Sequence, residues 1–252
     1  MRLPFTTPTV LIAATASLIT LGALASAAVS IAGKSDQICI QADGLPDHDT
    51  GSFPNRGNPH SISRQNVDVC VTANPEKGST AQPVRVTGIA KNGIQIRPGT
   101  ADYYDASSPR GHSRDRSSGW NLDGMGARDA LGLDHQNAHV GPRGEYHYHG
   151  MPPALMDTDG STLVGWAADG FEIHYVGDAA RSSYMLLPGA RDSAPGGSHD
   201  GTYNEDWTFV QGYGNLDECN GGMAGGRYVY FATDTYPFFP RCLFGTEITR
   251  IR

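Results

Sequence analysis

The densest set of chemically capable side chains lies between residues 134 and 149. It reads Asp134-His135-Gln136-Asn137-Ala138-His139, then Gly141-Pro142-Arg143-Gly144, then Tyr146-His147-Tyr148-His149. In an extended strand, side chains two residues apart share a face. His147 and His149 therefore project together, with Tyr146 and Tyr148 on the opposite side. Neutral imidazole is the commonest metal ligand, and two of them about 7 Å apart at Cα can converge on one ion.

Whether His139 joins them depends on the turn. A four-residue loop over 141–144 opposes Val140 to Glu145 and leaves His139 on the tyrosine side. A loop of three or five residues flips the parity and gathers all three histidines. Gly144 suits an odd-length loop, which often needs a left-handed residue. The expected centre is one transition-metal ion on His139, His147 and His149. Three imidazoles without a thiolate suit zinc or copper; calcium, which prefers oxygen ligands, fits less well. Asp134, Asn137 and Asp217 are the expected hydrogen-bonding partners that orient the ligands.

Other polar residues offer weaker signals. Asp169, before Gly170-Phe171, and Glu218, before Cys219-Asn220-Gly221, are candidate general bases if the centre is catalytic; each could equally cap a turn. Met156-Asp157-Thr158-Asp159-Gly160 alternates acids like a calcium loop but lacks the distal Glu, so it reads as a hairpin turn. His48, His60, His112 and His199 fall in polar stretches and are expected to be solvated. No Gly-x-Ser-x-Gly elbow, phosphate-binding loop or dinucleotide fingerprint is present. A metal-free carbohydrate-binding or adhesion domain would instead rely on Trp120, Trp166 or Trp207.

The elements that must hold these residues are short and turn-rich. Among 252 residues there are 32 Gly and 16 Pro, about 19% together against a usual share of roughly 12%. No segment sustains helical periodicity, which excludes coiled coils, bundles and helical repeats. The expected fold is mainly β, a single turn-rich domain of short antiparallel strands, sandwich or barrel-like. Strands are predicted over Val67–Thr72, Pro83–Ala90, Ile94–Ile96, Glu145–His149, Thr162–Ala167, Phe171–Val176, Trp207–Val210, Arg227–Thr233 and Glu247–Ile251. Asn92-Gly93 signals a hairpin. Residues 29–60 and Thr100–Asn121 read as loops, Asp178–Asn204 as mostly irregular, and Gly126–Leu133 as a weak helix.

Met1-Arg2-Leu3, the apolar run Val10–Leu24 and the small-residue site at Ala25-Ser26-Ala27 read as a secretory signal peptide over 1–27. An N-terminal segment over 28–80 and the main domain over 81–252 would follow, with no membrane span after cleavage, in a secreted or periplasmic protein. Cys39, Cys70, Cys219 and Cys242 are an even set, expected as Cys39–Cys70 and Cys219–Cys242 disulfides in an oxidising compartment. The formal charge is −7, or −8 once Arg2 is removed. That balance, without a Lys/Arg cluster along the chain, argues against nucleic acid as a partner.

A repeat links the two ends of the domain. Leu133-Asp134-His135-Gln136-Asn137 matches Leu216-Asp217-Glu218-Cys219-Asn220 at an offset of 83, and a Tyr-x-Tyr-x string follows each. Two related hairpins are expected, facing one another. In the second, Gly222, Val229 and Phe231 stand where the first has His139, His147 and His149, so it should present an apolar wall and the chain should hold one ion.

The residues Asn137-Ala138-His139-Val140-x-x-x-Gly144, Tyr146–His149, Gly165-Trp166-Ala167-Ala168-Asp169-Gly170-Phe171, Leu216–Gly221 and Tyr236-Pro237-Phe238-Phe239-x-x-Cys242 closely resemble the YHYH-domain family, over about residues 90–246. The resemblance implies an exported β-rich domain with a metal site. It leaves activity undefined; three His ligands with an open position would allow a metal-dependent hydrolase or oxidoreductase as the alternative to a metal-binding module. The chain departs from the family pattern at Tyr228-Val229-Tyr230-Phe231, where a His-rich string often occurs.

Overall fold

The computed structural model describes residues 29–156 and 160–251. The expected signal peptide, and Asp157 and Asp159 of the acidic turn, lie outside the described residues. In chain order the strands begin with β1 (Val29–Lys34), β2 (Gln37–Ala42), β3 (Val67–Thr72), β4 (Lys77–Pro83), β5 (Gly88–Ala90) and β6 (Gln95–Ile96). Next come β7 (Gly99–Tyr104), β8 (His112–Ser113), β9 (Asn121–Asp123), the one-turn helix α1 (Arg128–Leu131), β10 (Ala138–Val140) and β11 (Tyr146–Tyr148). The chain then adds β12 (Leu163–Ala167), β13 (Glu172–Tyr175), β14 (Tyr184–Leu186), β15 (Trp207–Phe209), β16 (Gly221–Ala224), β17 (Arg227–Ala232) and β18 (Cys242–Gly245). Over the described residues the fold is mainly β and sandwich-like, with no closed barrel among them.

An eight-stranded sheet in the order β10-β11-β6-β5-β12-β13-β17-β16 is the backbone of the molecule. Its two halves repeat one topology. In each, a hairpin (β5–β6 or β12–β13) lies beside a second hairpin (β10–β11 or β16–β17), and the later strands of the two run parallel. The halves join through β5 and β12, antiparallel, with Ile89 opposite Trp166. Gly88-Ile89-Ala90-Lys91-Asn92-Gly93-Ile94-Gln95-Ile96-Arg97 aligns with Gly165-Trp166-Ala167-Ala168-Asp169-Gly170-Phe171-Glu172-Ile173-His174 at an offset of 77. Under that alignment Ile89 and Trp166 exchange places, so a pseudo-two-fold axis passes between them.

Local detail repeats as well. Ala90 N donates to Ile94 O as Ala167 N does to Phe171 O, both at 2.8 Å. Tyr146 OH donates to Asp134 Oδ2 and Tyr228 OH to Asp217 Oδ2, both at 2.7 Å. Asn137 and Asn220 both sit at φ 58°, a left-handed conformation that Asn tolerates better than most residues. The two repeated hairpins are therefore real, but they do not face one another: β10 and β16 are the opposite edges of the sheet.

The main core joins the tyrosine face of this sheet to the N-terminal sheet β1-β2-β3. Tyr146, Tyr148, Tyr230, Ile96 and Ile173 pack with Ile40, Val67, Val69 and Val71. Cys39–Cys70 staples β2 to β3, and Cys219–Cys242 ties the second half to β18, as expected from the sequence.

Several expectations need correction. Residues 29–60 are not all loop: β1 and β2 occupy their start, and β2 pairs with β3 along six residues. Their apolar alternation is short and flanked by Gly and Asp; β1 folds back on β2, and β2 is held by β3, some thirty residues away. Residues 100–121 contain most of a small sheet, β8-β7-β9. Pro83–Ala90 is split, ending β4 and forming β5, with no strand between. Glu247–Ile251 is extended but joins no sheet; Thr249 N donates to Ala168 O instead. The weak helix narrows to the four residues of α1.

Candidate metal centre

The turn between β10 and β11 decides the site. Gly141 N donates to Glu145 O at 2.8 Å, so the loop is the three residues Pro142-Arg143-Gly144. Gly144 takes φ 84°, and an added Cβ would lie 2.0 Å from Ser63 Oγ. This odd-length loop sets His139 opposite His147 and Val140 opposite Tyr146. The three imidazoles consequently share one face and the tyrosines the other. His149 follows β11, held in line by its backbone N–H donating to Asn137 O.

Ring centroids are 4.8 Å apart for His139 and His147, 4.7 Å for His139 and His149, and 4.9 Å for His147 and His149. One ring nitrogen from each lies within 4.8 Å of the others. Each Nδ1 meets a backbone carbonyl: His139 that of Leu131 at 2.9 Å, His147 that of Glu145 at 3.0 Å, and His149 that of Pro98 at 3.4 Å. A carbonyl only accepts, so each Nδ1 carries the hydrogen and each Nε2 keeps a lone pair. His149 Nε2 is buried without a hydrogen-bond partner. A cation is the group such an orphaned lone pair lacks.

The segment after β6 forms the roof. Pro98 and Leu131 supply two of the carbonyls, and Gly124 lies so close that a Cβ there would sit 2.2 Å from His149 Nδ1. Trp120, Leu122, Ala127, Leu131 and Tyr203 make a small core of their own on this side. Burial holds His139 below the ordinary imidazole value of 6.5. Burial, and next the neighbouring His139, hold His147 and His149 well below it. Removing water penalises the charged imidazolium, so all three stay neutral, the form that ligates.

The remaining sequence candidates are placed elsewhere. Asp134 accepts from Tyr146 OH, Gly51 N, Gln136 N and Ala138 N, and Asn137 Nδ2 donates to Met151 O. These contacts fix the hairpin; neither side chain hydrogen-bonds an imidazole. Asp217 does the same for the second hairpin through Tyr228 OH and the amides of Cys219 and Gly221. Asp169 is buried, accepting from Tyr230 OH at 2.8 Å and Gly245 N at 2.9 Å. Burial raises its carboxyl above the usual range despite those donors. Glu218 is exposed beside the Cys219–Cys242 bridge.

His112 is buried rather than solvated, with Nδ1 3.4 Å from Asp102 Oδ1, and His48 Nε2 lies 2.6 Å from Tyr148 OH. Trp120 and Trp166 are buried, and Trp207 stacks on Tyr236 at 5.0 Å, so none forms an open stacking platform.

The triad forms part of the wall of a cleft of about 980 Å³. Sequence reasoning missed what else lines it, above all Arg97 and Glu145, buried and paired at 3.1 Å. Burial opposes ionisation of Glu145, but backbone amides and Arg97 outweigh it and hold its carboxyl below the usual range. The repeat of Gly88–Arg97 in Gly165–His174 was the available signal that this segment belongs to the same unit as the histidines.

The family model described as YHYH protein matches residues 68–245. No curated protein and no solved structure matches the chain.

Proposed function

The chain belongs to the YHYH protein family, and we propose that it holds one transition-metal ion, zinc or copper, on the Nε2 atoms of His139, His147 and His149. The observation that carries this reading is the common orientation of the imidazoles. The three rings are each fixed through Nδ1–H by a backbone carbonyl, one ring nitrogen of each lies within 4.8 Å of the others, and His149 Nε2 has no hydrogen-bond partner. In this reading backbone carbonyls take the orienting role that sequence reasoning gave to Asp134, Asn137 and Asp217.

The same reading places the protein outside the cytoplasm. Two disulfides with no free cysteine among the described residues suit an oxidising compartment, and the N-terminal sequence has the composition of a signal peptide. No helix among the described residues is long and apolar enough to cross a membrane.

Elemental analysis of protein purified without affinity metal tests the centre directly. One equivalent of zinc or copper per chain is expected, falling to a small fraction in the His147→Ala/His149→Ala double variant. Metal-free protein that gains no thermal stability from either ion would refute the reading.

The open cleft beside the triad favours a second reading, a metal-dependent enzyme. Three protein ligands leave a coordination position free, and a bound ion there would supply Lewis acidity or redox chemistry. Turnover that vanishes with chelation and returns with the ion separates this from simple binding.

A further inference from the structure

The chain is acidic overall, yet the cleft that holds the triad is basic. Arg85, Arg97, Arg110, Arg114, Arg116 and Arg143 line it, drawn from four separated stretches of sequence. Only two carboxylates, Asp102 and Glu145, answer them. The cluster is invisible along the chain because the fold assembles it. Concave walls of one charge focus the potential and concentrate counter-ions.

Five of the six arginines are at the solvent rim; Arg97 is not, being only 5% exposed. Its Nε donates to Gln95 Oε1 at 2.7 Å and its Nη1 to Glu145 Oε1 at 3.1 Å. Its Nη2 is buried and has no partner. Gln95 stands opposite His147 in the parallel β11–β6 pair, and Arg97 follows it by two residues on the same face. The unpaired donor is therefore on the imidazole side of the sheet.

The pseudo-symmetry provides an internal control. The positions of Gln95, Arg97 and Glu145 correspond to Glu172, His174 and Arg227 in the second half. There His174 Nε2 is 2.9 Å from Glu172 and Arg227 is 3.4 Å from it, in a solvent-facing cluster with Arg227 74% exposed. The sheet thus folds around this position without a buried guanidinium. The buried arginine occurs in the half that carries the imidazoles, and leaving one of its donors unpaired costs stability that packing alone does not require.

We infer that the cleft binds a small ligand bearing an oxyanion, whether phosphate, sulfate or carboxylate, with Arg97 Nη2 as its buried contact and the rim arginines as its attracting field. An oxyanion matches the planar donor edge of a guanidinium, and charge-assisted bonds in a dry site are strong. The Arg97 contact stands apart from the metal reading given above; only the placing of the anion beside a bound ion rests on it.

The test is calorimetric titration of the full-length protein, metal-loaded and chelator-stripped, with sodium phosphate, sulfate and acetate at constant chloride-balanced ionic strength. Saturable binding of at least one is expected, and the tightest of the three identifies the class. Arg97→Gln should weaken it at least tenfold while the bound metal stays at one equivalent. Glu145→Gln, which removes the competing carboxylate, should tighten it, and this variant decides the matter if Arg97→Gln fails to fold. No saturable binding of any probe, or affinity unchanged in the decisive variant, would overturn the anion site. Arg97-dependent binding by protein that takes up no zinc or copper would end the metal reading and leave the anion site standing.

Discussion

At the scale of single residues, the histidines are set by what surrounds them. The type and alternation of His147 and His149 were legible at once, because period two on a strand is insensitive to the rest of the fold. What surrounds them was not: the carbonyls of Leu131, Glu145 and Pro98 carry no side-chain signal. Their depressed titration has a measurable consequence. In the unfolded chain imidazole binds a proton near pH 6.5, whereas in the folded protein burial holds His147 and His149 well below that value. Below about pH 6.5 the unfolded state therefore binds more protons, and folding stability falls. Metal-free protein should keep its full stability above that pH and lose it progressively as the pH drops toward the folded values. Protons should also compete with the ion only below pH 6.5, so the stability gained from metal should persist at that pH and fade in more acid solution. Melting temperatures with and without chelator from pH 8 to 5 check both. An increment already lost at pH 6.5 would mean that the ligands are not these buried imidazoles.

At the scale of elements, one loop and one glycine build the centre. The sequence left the loop at three, four or five residues, since Gly141-Pro142-Arg143-Gly144 suits each of them; the pairing of Gly141 with Glu145 chooses three. The register that this loop sets brings His139 to the other two imidazoles, and a His139→Ala variant removes that one ligand. Metal occupancy should fall by more than tenfold, with far-ultraviolet circular dichroism retaining its β character. Undiminished occupancy would show that His139 is not a ligand. Gly124 acts from the other side. Its alanine variant would bring a Cβ within 2.2 Å of His149 Nδ1, forcing ring or roof to move at a cost of about 1–3 kcal/mol, and occupancy should drop with it. Among the strands that sequence reasoning missed, β2 pairs with β3 and β7 with β9 across long intervening stretches, and β1 adds to β2 as a short hairpin. The long-range pairings depend on tertiary contacts that no local pattern records.

At the scale of the whole molecule, the fold is a duplicated unit in which one half keeps the chemistry and the other keeps the architecture. Asp217, Asn220 and Tyr228 repeat the turn and the tyrosine–aspartate hydrogen bond of Asp134, Asn137 and Tyr146, whereas Tyr230 donates to Asp169 where Tyr148 accepts from Asn92. The ligand positions diverge. Gly222, Val229 and Phe231 replace the three histidines, and Val229 and Phe231 join Ala180 and Leu216 in an apolar cluster. The sequence repeat foretold this divergence but not its geometry. The apolar counterpart lies at the far edge of the sheet, too distant to line the metal cleft, so it seals its own half and leaves the imidazoles to their roof. The duplicated tyrosine–aspartate pairs should then be interchangeable in structural worth, while only one half responds to metal. Replacing Val229 by Ala should cost about 1–3 kcal/mol through lost packing and leave one ion per chain. Replacing His147, its counterpart, by Ala should remove the ion, so that zinc no longer raises the stability of the variant whatever the ring's own burial contributes. Denaturant melts of both variants, each with and without zinc, separate the two roles. A Val229→Ala protein with altered metal stoichiometry, or wild-type protein binding two transition-metal ions tightly, would mean that the halves still share their chemistry.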